Sequence, residues 1–104
     1  MQSGYRGVRA LGYAQSGAVD ASTLVSSLSF AGTAGIPTGT SFLTIKCETQ
    51  AVRWRDDGTA PTAAVGYPLS VGSELVYDCG NMAALRFISQ VAGAIINVVA
   101  YGQT

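Results

Sequence analysis

Alternation is the feature that most constrains this chain. Residues 41–48 read SFLTIKCE, which puts Leu43, Ile45 and Cys47 on one side of an extended strand and Thr44, Lys46 and Glu48 on the other. A period of two is what a half-buried strand needs, because successive side chains point to opposite faces. The preceding Pro37-Thr38-Gly39-Thr40 is a turn signal. Residues 52–55 alternate again, placing Val52 and Trp54 inward and Arg53 and Arg55 outward. Asp56-Asp57-Gly58 then ends the run, since Asp-Gly favours a tight turn with positive φ at the glycine.

Short strands separated by turns continue to the end. Residues 59–65 are small and polar around Pro61 and read as a surface loop. Pro68-Leu69 reads as an edge segment, because proline cannot donate to a central ladder. Residues 73–77 (SELVY), 85–88 (LRFI) and 95–101 (IINVVAY) read as strands, with a turn at 78–81. The last two strands are expected to pair as a hairpin across residues 89–94. In residues 21–30 (ASTLVSSLSF) helix and strand both fit, and the poor helix propensity of Ser and Thr favours strand. Residues 7–14 fit a strand or an extended arm anchored by Val8, Leu11 and Tyr13. Strands at intervals of about 8–12 residues predict an all-β, single-domain antiparallel sandwich, jelly-roll-like or barrel-like. The Gly-rich residues 1–17 form its N-terminal arm or edge strand, and residues 18–104 the sandwich domain.

Composition narrows the function classes. Six Lys plus Arg balance six Asp plus Glu for a net charge of zero, which leaves no basic footprint for nucleic acid. Charged residues make up 12% of the 104, about half the usual share. So uncharged a surface predicts that much of it is covered in use. No apolar run approaches the roughly 18–20 residues that span a bilayer, and the start of the chain lacks a signal-type stretch; both predict a cytosolic product. Cys47 and Cys79 are the only cysteines and His is absent. A zinc site within the chain is therefore excluded, and the two cysteines are expected to be small, reduced, buried residues.

Two groups of residues have chemical potential. Asp56 and Asp57 form a carboxylate pair, but neighbours on a strand point apart and no base or perturbing partner is near in sequence, so no acid–base pair is expected. Nor does the loop offer the spaced oxygens of a calcium site. Asp56, Asp57 and Gly58 are expected to be turn residues, with Trp54 a core anchor. Arg53, Arg55 and Arg86 fit cross-strand pairs with Asp56, Asp57 or Glu48, or else an assembly interface, where Arg is enriched. Gly4, Gly7, Gly12 and Gly17 lack phosphate-loop spacing. No cofactor, metal or small-molecule substrate is expected, and no catalytic set is visible.

Residues 51–62 (AVRWRDDGTAPT), followed by Gly66-Tyr67-Pro68-Leu69, by residues 72–78 (GSELVYD), by 82–88 (MAALRFI) and by 93–98 (GAIINV), resemble a run found in small structural proteins of tailed bacteriophages. The resemblance spans residues 37–101 and leaves the first 36 uncovered. It implies a non-enzymatic virion component and carries over no catalytic residues. On that basis the chain is expected to be a capsid decoration or cement protein. It would be made in the host cytoplasm and sit on the capsid surface as a homo-oligomer that bridges major capsid subunits. Its N-terminal arm would make contact through Tyr5, Arg6, Arg9 and Tyr13, joined by Arg53 and Arg55. The alternative is a tail, neck or fibre-attachment module in contact with the host. A carbohydrate-binding sandwich stacking sugars on Trp54 or tyrosines is a third reading; it predicts an exposed Trp54, where alternation predicts a buried one. An enzyme built on the paired aspartates is the fourth.

Overall fold

Residues 40–48 and 95–103 carry the longest uninterrupted β patterns, and they lie side by side at the centre of one sheet. The structure, a computed structural model, describes residues 7–30, 32–78 and 80–103. Its strands are β1 (Val8–Gln15), β2 (Thr23–Leu24), β3 (Ser29–Phe30), β4 (Thr33–Ala34), β5 (Thr40–Glu48), β6 (Val52–Arg55), β7 (Tyr67–Leu69), β8 (Glu74–Tyr77), β9 (Arg86–Ser89) and β10 (Ile95–Gln103). All their pairings are antiparallel. The first sheet has the order β1-β10-β5-β8 and the second β2-β9-β6-β7, while β3 and β4 form a small separate ribbon. First strand pairs with last and the pairing works inward: β1 with β10, β2 with β9, β5 with β8, β6 with β7. That is the order of a jelly roll, a long hairpin wound so that successive pairs fall in alternate sheets.

The core lies between the sheets. Leu43, Ile45 and Cys47 from β5 and Ile96, Val98 and Ala100 from β10 are buried, and meet Val52, Leu69 and Phe87 of the second sheet within one apolar cluster. Fully burying a side chain of the size of Leu, Ile or Phe contributes about 1.5–3 kcal/mol. Gly102 is the most tightly enclosed glycine among the described residues. A Cβ there would stand 2.5 Å from the Gly39 carbonyl oxygen and 2.6 Å from Leu11 Cδ1. The ladders on both sides of β10 shift register at this level, between Ala10 and Gly12 and between Tyr101 and Gly102. Extra residues in the neighbouring strands bend them around the glycine.

Two expectations change and one is narrowed. The hairpin between the last two strands does not form, because β9 joins β2 and β6 whereas β10 joins β1 and β5. Residues 89–94 cross between the sheets instead, and residues 19–20 brace them: Val19 makes backbone bonds with Ser89 and Ala94, and Asp20 Oδ1 accepts from Ser89 Oγ at 3.0 Å and from the Gly93 N–H at 2.8 Å. Secondly, residues 8–15 are no free arm. They pair along their length with β10, bury Ala14, and lead to Ser16, whose Oγ accepts from the Ile96 N–H. Between the two forms expected, the edge strand is the one present. Thirdly, residues 21–30 are not one strand. Strands β2 and β3 are interrupted by a 3₁₀ turn at Val25–Ser27, where Val25 is buried and Ser27 Oγ donates to the Leu24 carbonyl.

The register sorts the outer face of the first sheet into transverse rows. Tyr13, Val99, Thr44 and Val76 make one row across all four strands, and Ala10, Tyr101 and Phe42 make the next. Phe42 and Tyr101 stack with centroids 5.1 Å apart. On the other side lies a polar row of Gln15, Asn97, Lys46 and Glu74. Tyr13 OH donates to Asn97 Oδ1, and Asn97 Nδ2 to Glu48 Oε1.

Candidate functional site

Strand β6 delivers Trp54 and Arg55 to one end of the sandwich, and the Asp56-Asp57-Gly58 turn closes over them. Gly58 has φ 87°, the left-handed conformation expected of an Asp-Gly turn. Asp57 organises that turn: Oδ1 accepts from Arg55 Nε at 3.0 Å and from the Thr59 N–H at 3.3 Å, and Oδ2 accepts from Arg55 Nη2 at 2.5 Å. The two-pronged bond from Arg55 holds the Asp57 carboxyl down at about 2 and raises the guanidinium. Asp57 therefore stays an ionised acceptor at neutral pH rather than a proton donor. Asp56 points elsewhere, as expected of neighbours. Its Oδ2 accepts from Tyr77 OH of the first sheet, and its carbonyl accepts from Asn81 Nδ2.

Residues 59–66 fold back along β6 and are held by Arg53. Its Nε donates to the Ala63 carbonyl at 3.2 Å and its Nη1 to the Gly66 carbonyl at 2.9 Å. Thr62 and Val65 exchange backbone bonds, and Thr62 Oγ1 accepts from the Val65 N–H. At Gly66, φ is 145° and a Cβ would stand 3.0 Å from Arg53 Cβ and 3.1 Å from Pro61 Cβ, so the loop closes this tightly only with glycine there.

Turn and loop leave an open cleft of about 410 Å³ between them. It is lined by Trp54, Arg55, Asp56 and Asp57 from β6 and its turn and by Val65, Gly66 and Tyr67 from the end of the loop and β7. Trp54 is half-buried against the core, meeting Tyr67 edge-on at 5.2 Å and Tyr77 at 6.1 Å. Tyr67, on the edge strand β7, stands 67% exposed although its register partner is the inward-facing Trp54.

The expected contact residues scatter. Tyr13 is on the outer face of the first sheet and Arg9 is exposed on β1, whereas Tyr5 and Arg6 lie outside the described residues. Arg53 and Arg55 bind their own loop and turn, and Arg86 donates to Ser22 Oγ at 3.4 Å. Trp54 and the Asp-Asp-Gly turn are where alternation and turn chemistry put them. Sequence reasoning passed over Val65, Tyr67 and Tyr77; the adjacency of Tyr67 to the edge proline Pro68 was the one available sign. Cys47 is buried, which pushes its thiol up, and Cys79 lies outside the described residues. Among the described residues no group of three His, Cys, Asp or Glu is placed to hold a metal ion. Comparison with known proteins gave no matching family model, curated protein or solved structure.

Proposed function

We propose that this chain is a non-enzymatic structural protein of a tailed-bacteriophage virion, a decoration protein that lies on the outer face of the capsid shell and cements neighbouring major capsid subunits. The resemblance of residues 37–101 suggests the virion, and jelly rolls serve in capsid and in lectin domains alike. The observation that carries the reading is the largely apolar strip on the outer face of the first sheet. Its Tyr13-Val99-Thr44-Val76 row crosses four strands, and Tyr13 and Val76 at its two edges are each 51% exposed. An apolar row with a polar row beside it is the pattern of an interface core with its rim. Copies of the chain would pack around capsid symmetry axes. A protein that binds the assembled shell and not its free subunits stabilises the shell by mass action.

Copy number in purified virions, by quantitative mass spectrometry against the major capsid protein, tests the placement. An abundance comparable to the capsid protein supports decoration; a few copies per particle move the chain to the neck or tail. Val76→Asp tests the face. The exposed edge position tolerates the change, so the variant folds with a near-wild-type melting temperature but no longer cosediments with shells. Cosedimentation at wild-type level would remove this face from the interface.

A further inference from the structure

We infer that the cleft between the Asp56-Asp57-Gly58 turn and Tyr67 is a binding site for a neutral saccharide, of a size for a mono- or disaccharide unit. Its volume, about 410 Å³, lies within the roughly 300–1,000 Å³ of small-molecule sites. Three properties select the ligand class.

The first is a fixed aromatic wall. Tyr67 is 67% exposed, yet it is braced edge-on by Trp54, which is itself braced by the buried Tyr77. A tyrosine already held in place offers apolar area at little entropic cost. The C–H face of a pyranose is the natural complement of such a ring, and Val65, 55% exposed, adds apolar surface to the lining.

The second is a set of planar, two-pronged polar groups in the lining, Arg55, Asp56 and Asp57. Asp57 takes Nε and Nη2 of Arg55, and Tyr77 takes Oδ2 of Asp56. Among the described residues, Arg55 Nη1 and Asp56 Oδ1 have no hydrogen-bond partner, which leaves a donor and an acceptor for adjacent sugar hydroxyls. The bonds that occupy the remaining atoms fix both groups before a ligand arrives.

The third is charge. One guanidinium and two carboxylates leave the site mildly negative, which disfavours phosphorylated, sulfated and acidic sugars. A quaternary ammonium ligand needs ring faces on several sides. Here Tyr67 alone is widely exposed, Trp54 being half-buried and Tyr77 only 3% exposed.

Trp54 is the only tryptophan, so its fluorescence reports on the cleft directly. The isolated chain is titrated with glucose, galactose, N-acetylglucosamine, rhamnose and maltose, and in parallel with sialic acid and choline. A saturable change with at least one neutral sugar is expected. Tyr67→Ala should abolish it with an unchanged circular dichroism spectrum, and Asp56→Asn should weaken it about tenfold, the scale of a hydrogen bond to a charged group. Should Tyr67→Ala fail to fold, Val65→Asp at the exposed rim carries the same test. Saturation with choline or sialic acid alone, no response to any neutral sugar, or binding unchanged in the cleft variants would each overturn the assignment. The titration needs no virion, so its outcome is independent of the shell-binding proposal.

Discussion

The two sheets of the sandwich are built from similar strands, yet their outer faces are finished in opposite ways. On the second sheet the outward positions of β6 and β9 include Arg53, Arg55 and Arg86, and Arg55 lies directly opposite Arg86. Like charges in register are unfavourable. Each of these arginines is bound locally: Arg53 to the 59–66 loop, Arg55 to Asp57, Arg86 to Ser22. That face is finished by its own chain. On the first sheet the corresponding positions carry the Tyr13-Val99-Thr44-Val76 row, and no loop with its own clamp is folded over it among the described residues. A charged outward position recruits a neighbouring loop or turn, whereas an apolar one is satisfied best by another surface. The contrast separates a self-contained side, which shapes the cleft, from a side suited to a partner.

The largest effect is expected at the enclosed glycine of the first sheet. Gly102→Val would drive a side chain into the Gly39 carbonyl, which as backbone cannot swing aside, and should lower stability by about 3 kcal/mol or more. Urea denaturation measures it; a loss below 1 kcal/mol would mean that the bulges flanking Gly102 relax easily. A smaller effect is expected from the arginine clamp. Arg53→Ala removes two bonds to loop carbonyls and should cost about 1–3 kcal/mol. Amide exchange should speed up in residues 59–66 and stay unchanged on β10. Exchange rising equally in both would erase the distinction between the sheets.

The smallest effect is the acid response of the Arg55–Asp57 pair. The Asp57 carboxyl in the folded chain sits at about 2, below the roughly 3.9 of a free aspartate. Its contribution is complete above the unfolded value and is lost as pH falls through the folded one. Stability should therefore decline from about pH 4 toward pH 2, more weakly at high salt because the pair is exposed. Asp57→Asn should flatten that part of the stability curve. An identical acid limb in the variant would assign the decline to other carboxylates.

Local rules carried a good part of the molecule. Period-two alternation located β5 and β6 with the correct side inward, Asp-Gly chemistry located the turn at Gly58, and the missing N–H of Pro68 placed β7 at an edge. These depend on a few consecutive residues, and the sequence displays them. The pairing of the last strands failed, because alternation says which face of a strand is buried and nothing about which strand lies beside it. Residues 89–94 are short enough for a hairpin, but bonds to Val19 and Asp20, some seventy positions earlier, hold them as they cross to the other sheet. The cleft was legible in half. Trp54, Arg55, Asp56 and Asp57 form one run and drew notice, whereas Tyr67 and Tyr77 gain their roles from strands that meet only after folding. Sequence by itself determined the all-β class, strands β5 to β10 and the turn that ends β6, since dihedral preference and side-chain alternation act over neighbouring residues. Only the tertiary structure decided the jelly-roll order, which outer face carries the apolar row and where Tyr67 meets Trp54, because burial of apolar area rewards contacts between segments far apart in the chain.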